Sequence, residues 1–283
     1  MTGEIETAAS DGRGEGGPRR KGRPVRVLRI LAPFLLPVLL VLLWAWVVRA
    51  YAVPAYILPG PDLVLASLIN DWGVLGPALL VTLGIALQAL AIALIGGVLI
   101  AILLASSRWI EIALAPSLVI LQVTPVVAVA PLILIYTSTT RQALLICAWI
   151  VAFFPIFSNT MQGLKSTDHN LLDLFALYGA RRWQTLIFLK LPSALPYFLT
   201  GLRIAGGLAL IAAVVAEFAA GSAGAGSGLA FRLLESQYRL NIPRLFAALL
   251  LLSATGVAIF GATSLVSHLL LRRWHESVMR RER

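Results

Sequence analysis

The sequence predicts an all-α integral membrane protein: six transmembrane helices, with one long polar loop between the fourth and the fifth. Three observations lead there. Apolar residues make up 59% of the 283-residue chain and the mean hydropathy is +0.88, beyond the range of a soluble domain. Apolar runs of about the 20 residues that a bilayer-crossing helix needs recur along the whole chain. The cations, finally, lie at the ends of these runs. Arg13, Arg19, Arg20, Lys21, Arg23, Arg26 and Arg29 lead into the first, and Arg272, Arg273, Arg280, Arg281 and Arg283 follow the last. A net charge of +10 distributed in this way is a topology signal, and it argues against nucleic-acid binding, which would interleave cations with aromatics along a groove. The single cysteine, Cys147, sits inside an apolar run, which excludes a disulfide framework or a cysteine metal site within one chain.

Residues 1–26 are rich in Gly, Arg, Glu and Ser without apolar periodicity and read as a disordered basic cytoplasmic tail. The apolar run 27–48 is too long for a signal-peptide core of about 7–15 residues and reads as a retained first span, with a signal anchor as the alternative. Trp44 and Trp46 suit an interfacial aromatic belt at its far end. Residues 51–76 are mixed and proline-rich, belong outside, and contain a short apolar stretch, 63–69, that suits an interfacial helix. A second span lies within 77–105, long enough to require tilt, and a short linker, 106–108, turns the chain at the inner face. The third span, 110–136, carries Pro116, Gln122, Thr124, Pro125 and Pro131; the fourth is 143–162. The fifth is 194–220, an outer loop occupies 221–244, and the sixth covers 245–271 before a basic cytoplasmic tail, 273–283. Counting Lys and Arg by side places both termini and the long loop in the cytoplasm, with a permease domain over 27–272.

The long loop, about 165–193, is the most informative stretch. Leu171, Leu174, Phe175 and Tyr178 recur at helical spacing and predict one apolar face of a short amphipathic helix. Asn170 is placed to cap it, with Asp173 completing a capping box. Gly179 falls where a left-handed C-terminal residue is wanted. A second helix, 180–191, is expected to stop at Pro192 before the fifth span. A helix–glycine–helix element held outside the membrane between two spans suits a docking surface.

Within the spans, Glu217 stands out, because an ionisable group at membrane depth is costly. Three roles are open to it: lining a translocation path, tying an outer gate to a neighbouring helix, or reaching interfacial water. Arg203 suits snorkelling or pairing at the cytoplasmic boundary. Gln122, Thr124 and Pro125 suit either an opening of the backbone toward a pathway, because Pro frees a carbonyl, or an ordinary kink. The pairs Gly96–Gly97 and Gly206–Gly207 are candidate close-packing sites.

The segment from Asp173 through Gly179 to Leu191-Pro192 resembles the EAA signature of ABC-importer permeases: an acidic residue, small residues, a glycine, then a downstream Leu-Pro pair. Here the acid is aspartate, and Leu174 and Phe175 replace two alanines, while Ala176, Gly179 and the spacing to Pro192 follow the pattern. GARRWQ (179–184), LPSALPYFLTGLRIA (191–205), AEF (216–218), LPGPDLVLASL (58–68) and RRWHES (272–277) are similar to the nitrate, sulfonate, taurine and thiamine-precursor pyrimidine branch. The resemblance covers nearly all of the chain after the first tail. It implies the type I importer fold and a coupling loop whose Leu174, Phe175 and Tyr178 insert into a cytoplasmic ATPase subunit, with Gly179 as the turn and Arg181 and Arg182 at the rim. It further implies a second permease copy in a homodimer, an extracytoplasmic solute-binding protein, and a location in the inner membrane.

No G-x-x-x-x-G-K-[ST] run occurs, so ATP hydrolysis is expected on another chain, and no cofactor is expected on this one. The glycine-rich stretch 221–228 follows a span rather than a strand and suits an outer hinge or a binding-protein contact. His169, His268 and His275 lack metal-ligand spacing. TPVVAVAPLILI (124–135) and YRLNIPRLFAALLLLS (238–253) lean toward pyrimidine-precursor or riboflavin transporters over sulfonate ones. A secondary transporter or channel working without ATP is the alternative; it would call for paired mid-span charges, and only Glu217 offers one.

Overall fold

A computed structural model describes residues 23–221 and 226–272, with side chains from residue 35 onward. The expected tails, 1–26 and 273–283, lie outside the described residues except for 23–26, which open the first helix, and so does the centre of the glycine stretch, 222–225. The described chain is helical throughout. The first helix, α1 (Arg23–Ala50), forms a unit of its own, and its 28 residues would span about 42 Å at 1.5 Å per residue.

In the second unit, α2 (Pro61–Asn70) is the short outer helix expected over 63–69. It is followed by α3 (Trp72–Ser106), α6 (Thr140–Lys165), α9 (Leu191–Ala220) and α11 (Ile242–Arg272). All four are long and apolar enough to cross a bilayer, and they correspond to the second, fourth, fifth and sixth expected spans. The third does not form as one rod. It is broken into α4 (Arg108–Val123) and α5 (Val126–Tyr136), bent by 99°. Pro125 has no amide to give the Leu121 carbonyl, so the ladder stops there. The Ile120 carbonyl accepts both the Thr124 amide at 3.1 Å and the Thr124 hydroxyl at 2.7 Å, closing the last turn of α4.

The core lies between α3, α6 and α9 and is dominated by small residues. Ala93, Ala101, Ala152, Ala205 and Ala209 are fully buried, and Phe153, Ile156 and Leu199 fill the wider gaps. Small residues let helix backbones approach in a medium where lipid tails are as apolar as leucine. The tightest approaches occur at two glycines not singled out in the sequence. A Cβ on Gly163 would lie 2.7 Å from the Ala194 Cα, and one on Gly201 would lie 2.7 Å from the Pro155 carbonyl oxygen. Of the expected glycine pairs, Gly97 packs on Ile156 and Gly206 on Ile259 and Thr263, whereas Gly96 and Gly207 meet nothing within 4 Å.

The helices alternate in direction, so the chain has two functional ends. One gathers the α3–α4 corner with residues 165–190, and Lys165 pairs there with Glu111. The other gathers the α2–α3 turn, the outer end of α9 and the helix α10 (Leu229–Tyr238).

Gly201→Ala is expected to destabilise the bundle by about 1–3 kcal/mol through overpacking, read as a lowered Tm in detergent. Gly96→Ala, facing open space, should shift stability by no more than about 0.5 kcal/mol.

Candidate functional site

The first helix of the loop between α6 and α9 is capped by Asp168, not Asn170. The Asp168 carboxylate accepts the Asn170 amide at 2.8 Å and caps α7 (His169–Leu177). Asp173 thus sits inside α7, exposed, and the expected capping box does not form around it. Asp168 outcompetes Asn170 because it carries charge at the positive end of the helix dipole. At the other end Gly179 adopts φ +69°, as its position predicted. Its amide bonds to the Ala176 carbonyl at 3.0 Å and the Ala180 amide to the Phe175 carbonyl at 2.9 Å, the double bond pattern of a Schellman stop.

The apolar side chains of α7 divide between two faces. Leu171, Leu174, Leu177 and Tyr178 are exposed, Leu177 and Tyr178 by more than 80%. Phe175, expected on that outer face, is half-buried beside Leu172. Ala176, Arg181 and Arg182 are exposed. Leu177 was missed in the sequence because it falls between the i and i+4 positions used to define the face, at the end of the helix where the turn opens.

Beyond Gly179, α8 (Arg182–Thr185) begins with the Gln184 side chain accepting the Arg181 amide at 2.7 Å. The chain does not stop at Pro192. A wide π turn, Leu186–Lys190, carries α8 directly into α9, giving one helix of 39 residues, Arg182–Ala220. The reason is local. Proline lacks an amide and its ring crowds the carbonyl four residues back, and the wider turn, in which the Leu191 amide reaches the Leu186 carbonyl, relieves both defects.

At the opposite end Glu217 is 3% exposed in the single chain. It holds three elements together. The Thr82 hydroxyl of α3 donates to Glu217 Oε1 at 2.7 Å and accepts the Leu229 amide at 2.8 Å, and the Ala230 amide donates to Oε2 at 3.0 Å. The first amides of α10 are therefore capped by side chains from two spans, while its own N-cap residue, Gly228, offers none. A carboxylate here meets the positive end of a helix, which offsets part of its burial cost. Gly228 is required by the same contact, since a Cβ on it would collide with the Glu217 carboxylate. Thr82 carried no sequence signal, because an isolated threonine in a span is common helix-packing material.

Around this latch the same end of the bundle is fastened by charge. Arg244 at the start of α11 pairs with Asp71 in the α2–α3 turn, and the Ser67 hydroxyl donates to Asp71 at 2.7 Å. Glu235 pairs with Arg232 at 2.8 Å and Arg239 at 2.9 Å along α10. The Arg244 guanidinium, and to a lesser degree Ser67, holds the Asp71 carboxyl below its ordinary range against the opposing effect of partial burial. Of the remaining expected residues, Gln122, Thr124 and Pro125 meet at the α4–α5 elbow, Gln122 and Pro125 exposed, apart from Glu217 and its partners. Arg203 donates to Ser267 on α11 at 3.3 Å.

A small-residue membrane bundle with an exposed two-helix loop at one end and a fastened short helix at the other is the architecture of a transport permease. The family model for the binding-protein-dependent transport system inner membrane component matches residues 95–275, and the chain belongs to that family. It is 31% identical to a probable ABC transporter permease protein of Haemophilus influenzae, covering 85% of this chain and 97% of that one. It is 33% identical to the formylaminopyrimidine transport permease of Halalkalibacterium halodurans, over 87% of this chain and 97% of the relative. With the riboflavin transport system permease of Chloroflexus aurantiacus it shares 36% identity, over 86% and 90% of the two chains. The protein is thus a multi-pass membrane permease subunit of an ABC importer.

Glu217→Ala leaves the buried Ala230 amide without an acceptor and should cost about 1–3 kcal/mol, with faster amide exchange confined first to α10. The Asp71 carboxyl, depressed in the folded state, contributes stability that is present above its unfolded value and lost as pH falls through the lower folded one. Asp71→Asn is therefore expected to lower Tm by roughly 2–4 °C at pH 7, a difference that closes below about pH 4.

Proposed function

We propose that this subunit converts ATP-driven closure of a separate cytoplasmic ATPase into opening and closing of a solute path. The observation that carries the proposal is the exposed apolar face of α7. Leu171, Leu174, Leu177 and Tyr178 stand out on a loop that has no span of its own to cover. An amphipathic helix of this kind suits insertion into a groove, where each leucine contributes roughly 1.5–3 kcal/mol on full burial. Gly179 sets the turn, Arg181 and Arg182 steer the rim, and Asp173 lies at the exposed edge of the same helix. Phe175 supports the loop from within the subunit, and Pro192 follows the π turn that makes α8 and α9 one rod.

In this reading both termini and the loop, about 165–193, are cytoplasmic, with a tail before the permease domain and another after it. The excess of Lys and Arg on that side supports the placement. Two copies form a homodimer that encloses the path, and an extracytoplasmic solute-binding protein delivers solute to the outer loops, 51–76 and 221–244. Glu217 serves as the tie of the outer gate: breaking it would free α10 from α3 and α9. The elbow at Gln122, Thr124 and Pro125 faces the path, supported by its broken backbone at membrane depth, which is tolerated where it lines a cavity or is buried in protein. The substrate is a small organic solute or anion, with a pyrimidine precursor or riboflavin preferred. That preference rests on the two relatives whose names carry those substrates and on the 124–135 and 238–253 segments. Sulfonate, taurine and nitrate come next.

Co-expression with the neighbouring ATPase and binding protein tests the proposal. The tagged chain should bring down the ATPase, Leu174→Ala with Tyr178→Ala should weaken capture at least about tenfold, and Gly179→Asp should abolish both capture and uptake. Uptake that survives Gly179→Asp, or a chain that captures no ATPase, would defeat the coupling role. A binding protein stabilised by a sulfonate and indifferent to pyrimidines and riboflavin would overturn the substrate assignment.

A further inference from the structure

A second feature lies at the same end of the bundle as the loop but on a different face. The α3–α4 corner and the α8–α9 helix enclose a cavity of about 810 Å³ lined by Arg108, Arg182 and Lys190, with Trp109 and Trp183 beside them. No carboxylate lines it, and none of the three cations forms an ion pair among the described residues. Its α7 wall is Leu172 and Ala176, not the outward stripe of Leu171, Leu174, Leu177 and Tyr178. Arg182 and Lys190 are eight residues apart on one continuous helix, staggering positive charge over about 12 Å of depth. Immediately deeper along the same α3 and α9 runs an apolar groove of about 440 Å³, lined by Leu94, Val98, Leu99, Leu195 and Phe198. Val98 and Ala105 are seven residues apart and Lys190 and Ala194 four, so cavity and groove follow the same helix faces.

A cationic chamber flanked by two tryptophans at the mouth of an apolar groove has the polarity of a phospholipid: a phosphodiester headgroup outside, acyl chains within. We infer that this is a binding site for one anionic phospholipid of the inner leaflet. The phosphate is held by Arg108, Arg182 and Lys190, and the first acyl segments lie along α3 and α9. Arg108 and Arg182 supply planar forks that match phosphate oxygens, and Lys190 reaches up from a deeper turn along its aliphatic stem. Basic pockets between spans on the cytoplasmic side select anionic headgroups in this way. The site rests on the cytoplasmic placement of the loop and shares Arg182 with the rim assigned to the ATPase contact, so lipid retention is read on the permease without an ATPase.

The full chain, purified in mild detergent, is titrated with phosphatidylglycerol, with neutral phosphatidylcholine and with inorganic phosphate, and bound lipid is counted by native mass spectrometry. One phosphatidylglycerol should be retained about tenfold more tightly than phosphatidylcholine, and millimolar phosphate alone should not displace it. Arg182→Gln, at an exposed position, should lose about fivefold of that preference, and Arg108→Gln/Arg182→Gln/Lys190→Gln should lose it entirely while retaining phosphatidylcholine binding. Val98→Trp, which fills the groove, should weaken both lipids alike, and Arg272→Gln, a cation outside the cavity, should change neither. Three results would overturn the site: undiminished preference in both glutamine variants, displacement by free phosphate, or loss of ATPase capture with lipid retention unchanged. The last would make the cations a protein contact. Because ATPase capture by the Leu174/Tyr178 face is scored separately, failure of the lipid site and failure of the coupling role are distinguishable.

Discussion

The close approach of α6 and α9 is the constraint on which both ends of this protein depend. In lipid there is no hydrophobic gain in bringing two apolar helices together, so attraction comes from dispersion contacts at short range. Gly163 against Ala194 and Gly201 against Pro155 bring the two backbones to the separation at which those contacts are made. The loop that holds α7 hangs between the last turn of α6 and the first of α9, and the carboxylate that holds α10 stands near the other end of α9. Loosening the pair would misplace both.

The outer end illustrates how a membrane protein uses a group it can scarcely accommodate. A buried carboxylate is stabilising only if its acceptor capacity is filled, and Glu217 receives a hydroxyl and a helix N-terminus at once. The short helix it caps has no capping side chain of its own, so α10 is built to depend on two spans for its first turn. The Asp71–Arg244 pair does similar work a little farther out, where partial hydration lowers the cost of charge.

Much of this was legible in the chain. Apolar run lengths located the long helices to within a few residues. Gly179 announced a left-handed stop because no other residue adopts that backbone without strain. Other features were not legible, for particular reasons. Pro125 and Pro192 look alike as helix breakers, yet one ends a helix at a 99° elbow and the other is absorbed by a π turn. Glycine pairs attracted attention, whereas single glycines facing a partner backbone set the core, and pairing partners cannot be read without knowing which helices meet. Thr82 and Glu217 are 135 residues apart, and only the fold brings them together.

The π turn has a mechanical consequence. Because it joins α8 to α9 without interruption, Arg182–Ala220 is a single rod of 39 residues, about 58 Å long. Trp183 lies at one tip and Glu217 near the other. A flexible link would dissipate a sideways displacement within a few residues; a stiff beam pivoting at the α6 crossing reverses and transmits it. The wide turn lies close to the Trp183 tip, so most of the rod's length, Pro196 included, lies beyond it. Removing its surplus residue would leave the rod intact but twist its two ends out of phase by about 100°.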